Sequence, residues 1–347
     1  MKKRILLTGA SGDVGREALK ELLRRKADYD TRILSLTTKR ERQLVEPYRD
    51  KVEIVWGDIR NPEDVARAVD GVDAIADLAA LIPPAADRHP ELARAVNVGG
   101  TRNVIAAMQA QREKPRLIYT SSVAVYGDRL RNPDIRVGDP LKPSAGDEYA
   151  MTKVGAEKIV RKSGLEWTIF RLSAIMNPRI RIKPLVFHMP LDTQMEICRS
   201  VDVGYALVQA IGCDALWGNI YNLGGGRKCR IKARDYLQTM LSIFGLNPKA
   251  IPENAFATRN FHMGHYVDGD ELESLLHFQR GGLKEHFAAV RRKTSACKRF
   301  SIKLIPTRIV RSYLAKLSEP LRAIKENNVA LIRRFYGSRE AFLAIPG

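Results

Sequence analysis

Tyr149 and Lys153 stand four residues apart in the stretch EYAMTKVGAEKIV, residues 148–160. On a helix that spacing stacks them on one face, close enough for an ammonium to act on a phenol. A free phenol, with a pKa of about 10, is a poor base at neutral pH. A nearby cation favours the phenolate, and a phenol so tuned can exchange a proton with a carbinol or carbonyl oxygen. The same spacing also arises by chance, as two solvated side chains on an exposed helix. The elements around the pair have to decide between these readings.

A second chemical pattern opens the chain. LLTGASGDVGREAL carries Gly9, Gly12 and Gly15 between the first apolar run and the first amphipathic stretch. Glycines so placed permit a tight turn, close approach of a pyrophosphate and close helix–strand packing, while the helix N-terminus offers unpaired N–H groups. An ordinary loop would also use glycine. Its place after strand one of an alternating fold favours the nucleotide.

That alternation runs through the first half. Strands are predicted over 4–9, 31–36, 52–57, 74–79, 116–122 and 167–173. Between them lie amphipathic stretches such as 16–25, where Leu19, Leu22 and Leu23 recur at helical spacing, and 61–69, with Asn61 as N-cap and Pro62 in the first turn. Near-continuous apolar strands separated by helices imply an α/β fold with a doubly wound, Rossmann-like parallel sheet. After about residue 175 the rhythm breaks. Residues 177–194 read as an irregular, proline-rich connection, followed by a helix over 201–212, a short strand within 218–226 and a helix over 232–245. The predicted division is a nucleotide-binding domain, 1–175, and a smaller substrate region, 176–347, with 201–222 able to pack back on the first.

Taken together, the motifs resemble those of the extended short-chain dehydrogenase/reductase family, also called the NAD-dependent epimerase/dehydratase family. TGASGDVG (8–15) is similar to its cofactor loop, GDIR (57–60) to its adenine-contacting segment and LAA (78–80) to its strand-four motif. NVGGTRNV (97–104) is similar to its Asn-bearing helix, YTSSVAVYG (119–127) to its active-site serine strand, and Tyr149-x-x-x-Lys153 to its catalytic pair. The matches keep the family's order across roughly residues 1–175. The resemblance implies a cofactor site of Gly9, Ser11, Gly12, Asp13, Val14, Gly15, Asp58, Ile59, Leu78, Ala79 and Ala80. It implies that Tyr149 transfers the proton, that Lys153 serves both the phenol and the nicotinamide ribose, and that Ser122 donates to the reacting oxygen. Asn97 resembles the family's helix-breaking or water-holding asparagine; structural capping is the other reading.

After strand two, NAD enzymes of this fold carry a carboxylate for the ribose hydroxyl, whereas NADP enzymes supply positive charge. Here Thr37, Thr38, Lys39 and Arg40 precede the first carboxylate, Glu41, which favours NADP over NAD. The family's sugar dehydratases place Asp-Glu after the active-site Ser/Thr; Val123 and Ala124 stand there and cannot exchange protons. The expected activity is an NAD(P)-dependent oxidoreductase interconverting a carbonyl and a secondary alcohol. A redox-neutral sugar-nucleotide epimerase is the alternative, and a non-catalytic NADP sensor the second.

The bulk numbers bound the rest. The chain has 347 residues and a net charge of +19. Residues 280–347 hold 16 Lys/Arg against 4 Asp/Glu, a net +12, so the basicity belongs mainly to a tail. Within it Ile309, Val310, Tyr313, Leu314 and Leu317 recur at helical spacing among Arg308, Arg311 and Lys316. Pro306 suits a helix start, and Pro320 is expected to divide two helices. Covering the substrate region with the apolar stripe is favoured over peripheral membrane contact, and nucleic-acid binding is unlikely, since charge alone brings no reading motif. Cys198, Cys213, Cys229 and Cys297 are scattered, so neither a disulfide framework nor a metal site is expected and a reducing cytoplasm fits. The apolar run at 5–7 is too short for a signal peptide. A small-molecule substrate and a homodimer complete the expectation.

Overall fold

The computed structural model describes residues 2–178, 183–247 and 251–345, the side chains of 296–298 excepted. The chain begins by alternating strand and helix: β1 (Lys3–Thr8), α1 (Asp13–Arg24), β2 (Tyr29–Ser35), α2 (Lys39–Val45), β3 (Glu53–Trp56), α3 (Pro62–Val69) and β4 (Ala74–Asp77). Short turns α4 (Ala85–Arg88) and α5 (Pro90–Ala93) lead through a π-helical turn into α6 (Gly100–Ala110). Then come β5 (Arg116–Ser122), β6 (Asp134–Ile135), α7 (Glu148–Arg161) and β7 (Trp167–Leu172).

Seven strands form one sheet in the order β10-β7-β5-β4-β1-β2-β3, where β10 is Ile220–Leu223. Every pairing in it is parallel. All six strands predicted before residue 175 are present. Side chains alternate across the sheet as the pleat requires. Ile5 and Leu7 face a core shared with α1 and α8 (Ser200–Ala210), through Leu19, Leu22, Val203 and Leu207. Leu6 faces the opposite core, with Val65 of α3, Met108 of α6 and Val160 of α7. Both faces are covered, which is why the strands read as unbroken apolar runs.

The segment 201–222 packs back on the sheet. α8 lies against α1 and β10 hydrogen-bonds along β7, Ile220 opposite Ile169. The remaining strands lie outside the central sheet. β8 (Ala174–Met176), β9 (Gln194–Arg199) and β11 (Arg230–Lys232) form a three-stranded sheet, and β12 (His265–Tyr266) pairs with β6. β8 and β9 are additions to the sequence reading that bracket the expected irregular connection 177–194, of which residues 179–182 lie outside the described residues. β9 hid because Glu196 interrupts its apolar pattern. That carboxylate is buried and accepts from the N–H groups of Gly226 and Tyr266 and from Arg230.

Helices complete the chain: α9 (Ala233–Ile243), α10 (Gly269–Leu276), α11 (Leu283–Lys293), α12 (Ala296–Lys303), α13 (Thr307–Leu317), α14 (Glu319–Lys325), α15 (Val329–Phe335) and α16 (Arg339–Leu343). Val310 and Leu314 of α13 are buried with Phe187 and Phe256, so the tail does cover the later part of the chain. The break between α13 and α14 falls at Ser318, before the expected Pro320. Ser318 accepts from the Leu321 N–H as N-cap, and Pro320 sits in the first turn, where a missing N–H costs nothing. Among the described residues no helix is long and apolar enough to cross a membrane.

Candidate active site

A doubly wound sheet opens a crevice where the strand order reverses, here at the ends of β1 and β4. The glycine loop lies there. Gly9 has φ +65°, a left-handed backbone that suits glycine, and a Cβ at Gly15 would come within 2.1 Å of the Gly9 carbonyl oxygen. Gly12 caps α1 without a side chain, and the first helical bond runs from the Arg16 N–H to the Gly12 carbonyl at 3.0 Å. The N–H groups of Asp13, Val14 and Gly15 therefore have no intrahelical acceptor. Gly12 and Asp13 are exposed, and Ser11 and Val14 partly so. This is a cradle that any Cβ would fill, aimed by a helix N-terminus, and it fits a dinucleotide pyrophosphate.

Thr8 fixes the other lip. Its hydroxyl donates to buried Asp77 at 2.6 Å and accepts from the N–H groups of Leu78 and Ala79 at 3.0 and 2.9 Å. Ala80 follows them, partly exposed. Asp58, after β3, is held by Arg60 through Nε at 2.9 Å and Nη2 at 2.5 Å, and that hydrogen bonding draws its carboxyl below the ordinary range. Ile59 is buried beside Gly100. Beyond β2, residues 37–40 are exposed; Thr38 caps α2, and Arg40 extends into solvent 3.4 Å from Glu41.

Three of the expected site residues gather at the end of β5. Ser122 is the last residue of that strand, and the adjoining α7 carries Tyr149 and Lys153. α7 begins where Asp147 accepts from the Ala150 N–H at 2.9 Å. Lys153 Nζ donates to the Thr120 carbonyl at 2.7 Å and to the Tyr119 hydroxyl at 3.3 Å. Burial lowers its pKa to about 8 against the pull of Asp77 and Glu157. Tyr149 departs from the sequence expectation. Burial pushes its phenol up to about 12, opposed by Ser122 and reinforced by Asp147. Lys153 Nζ stands 5.9 Å from the Tyr149 ring centre and is turned to β5, so the ammonium does not bring the phenol down.

Asn97 lies in the π-helical turn, 1% exposed. Its Oδ1 accepts from the Leu81 N–H at 2.7 Å, and its Nδ2 donates to the Leu81 carbonyl at 3.0 Å and Thr152 at 2.8 Å. The side chain thus clasps the loop after β4 to α7, beside Lys153.

Several neighbours escaped the sequence reading. Glu157 accepts from Ser121 at 2.5 Å and from Arg171 at 3.0 and 2.7 Å, tying β5, α7 and β7 together beneath Ser122. Its spacing, four beyond Lys153 and eight beyond Tyr149, was the available signal. His262 stands 2.6 Å from Asp147, and Arg334 of α15 stands 3.1 Å from Asp87; with His188 and Phe335 they line a small cavity. Nothing local in the sequence pairs these residues.

Comparison with known proteins places the chain among NAD(P)H-binding proteins. A family model described as NAD(P)H-binding matches residues 9–213. The chain is 36% identical over 165 residues to a 3-beta-hydroxysteroid dehydrogenase of Mycolicibacterium neoaurum, covering 45% of this chain and 42% of that protein. It is 35% identical over 192 residues to an N-acetyl-alpha-D-glucosaminyl-diphospho-ditrans,octacis-undecaprenol 4-epimerase of Escherichia coli O157:H7, covering 52% and 51%. It therefore spans about half the length of the curated relatives it matches. Among solved structures, a dTDP-glucose 4,6-dehydratase of Bacillus anthracis in complex with NAD aligns with a TM-score of 0.70 at 17% identity, over 84% of this chain and 96% of the other. That likeness is one of fold.

Proposed function

We propose that the chain, which belongs to the NAD(P)H-binding family, is an extended short-chain dehydrogenase/reductase that interconverts a carbonyl and a secondary alcohol with NADP(H). The observation that carries this reading is the convergence of Ser122, Tyr149 and Lys153 at the end of β5, beside the β1/β4 crevice. The bound cofactor would supply or accept the hydride at the substrate carbon. With its pKa raised to about 12, the Tyr149 phenol keeps its proton at neutral pH. It is therefore set to give that proton to the carbonyl oxygen in the reducing direction. Ser122 would hold the same oxygen by a hydrogen bond. Lys153, charged below about pH 8, would orient the ribose. Lys39 and Arg40 would meet the 2′-phosphate. Substrate contacts would come from the chain after residue 175, apart from α8 and β10.

The epimerase reading stays second, favoured by the 35% identical relative of that name. Buried Val123 and Ala124 offer no ionisable group, which argues against elimination. The test is incubation with NADPH and NADH across carbonyl compounds and nucleotide sugars. Net loss of reduced cofactor with alcohol formed supports the oxidoreductase. Interconversion of sugar nucleotides with no net loss replaces it by the epimerase, and tight binding without turnover of any substrate by the sensor.

A further inference from the structure

From His286 to Ser318 the chain contains no Asp or Glu, yet holds nine Lys and Arg. Within that stretch large apolar side chains stand in solvent: Phe300 is 66% exposed, Leu304 69%, Ile305 43%, Ile309 53% and Tyr313 62%. Elsewhere the exposed large apolar residues are scattered singly, which is ordinary for a surface; here five fall within fourteen residues. On α13 the reason is geometric. Val310 and Leu314 are buried, while Ile309 and Tyr313, one position earlier on successive turns, form the uncovered edge of the same apolar arc. Lys316 lies on the same side of α13 as Ile309 and Tyr313, Arg308 borders that edge one position before Ile309, and both are exposed, as are Lys303 and Arg311 elsewhere in the stretch. The helix satisfies the fold with one part of its apolar face and leaves the other part without a partner.

We propose that the surface formed by residues 299–316 docks on an anionic lipid bilayer. Apolar side chains that enter the acyl boundary, flanked by cations that meet anionic headgroups, are what interfacial binding requires. A second copy of this chain would bring the same cationic stretch, itself without Asp or Glu, against itself, which costs repulsion. A nucleic acid would use the cations and leave the aliphatic side chains without a role. The surface lies on the later part of the chain, because α13 packs on Phe187 and Phe256. None of residues 299–316 is among those that form the glycine loop or surround Tyr149, so the proposal does not depend on the reaction proposed above.

The test is co-sedimentation of the full chain with vesicles of phosphatidylcholine alone or mixed with phosphatidylglycerol. The expected result is binding to the mixed vesicles only, weakening as salt is raised. Arg308→Gln/Lys316→Gln should weaken it about thirtyfold, from about 1 kcal/mol per basic residue at the surface. Ile309→Ser/Tyr313→Ser should weaken it by at least about tenfold. Both variants should keep the parent's melting temperature and NADPH affinity. Failure of the parent to sediment with mixed vesicles would overturn the proposal. So would undiminished binding by the Ile309→Ser/Tyr313→Ser variant, which would mark the patch as a general polyanion site. Self-association lost in that variant, with vesicles ignored, would assign the surface to a second copy instead.

Discussion

His188 Nε2 lies 2.8 Å from Glu319 Oε2, joining the segment behind β8 to the first turn of α14. That hydrogen bond draws the Glu319 carboxyl down to about 2 from its ordinary 4.5. A carboxyl depressed in the folded state contributes stability above its unfolded pKa and loses it as pH falls through the folded one. The stabilisation should therefore be complete above about pH 4.5 and disappear toward pH 2. Glu319→Gln at neutral pH should remove about 1.5–3 kcal/mol, the range for hydrogen bonds to charged groups. Limited proteolysis should then cut between α13 and α16 faster than in the parent. Equal cleavage rates would show that the pair does not hold the tail.

Tyr149→Phe should keep fold and cofactor affinity while losing about a hundredfold to ten-thousandfold in turnover, the range for general acid–base groups. Ser122→Ala should act mainly on turnover as well. Once a substrate is found, steady-state rates beside fluorescence titration of NADPH separate these effects. A near-parental rate for Tyr149→Phe would return α7 to an ordinary surface helix.

Lys153 is charged below about pH 8 and neutral above it, since burial lowers its pKa. NADPH affinity should hence be flat below pH 8 and fall above it. Lys153→Met should bind weakly at every pH, with no step. A parent titration without a break between pH 7 and about 9 would separate Lys153 from the cofactor.

Lys39→Ala/Arg40→Ala should weaken NADP(H) and leave NAD(H) nearly unchanged, because both cations lie in solvent beyond β2. Comparing the two nucleotides by fluorescence in parent and variant decides this. Equal affinities in the parent would remove the basis for NADP preference.

The sequence disclosed the sheet because a parallel sheet covered on both faces writes itself as apolar runs, from Ile5 to Phe170. It disclosed the glycine loop because steric demand at Gly9 and Gly15 leaves no other residue type comfortable. It misjudged the Tyr149 phenol for a reason of distance along the chain. The spacing to Lys153 was visible, but Thr120 and Tyr119, which turn the ammonium toward β5, come from another element. β9 was missed since Glu196 finds its partners at residues 226, 230 and 266, far downstream. Asp147 with His262 and Asp87 with Arg334 are invisible on the same ground.

The seventh strand has a consequence for how the chain reaches its fold. β10 is supplied by residues 220–223, after the excursion through β8 and β9, and only then is the flank of β7 hydrogen-bonded. During synthesis from the N-terminus, six strands can assemble while Ile169 and Phe170 sit on a bare edge and Leu19 and Leu22 of α1 await α8. An unpaired, apolar edge is a template for association with other chains. A fragment ending at residue 175 should therefore aggregate on refolding, whereas the full chain, which supplies β10, should stay dispersed. Light scattering during dilution from denaturant distinguishes them, and equal turbidity would mean that β7 is not the vulnerable edge.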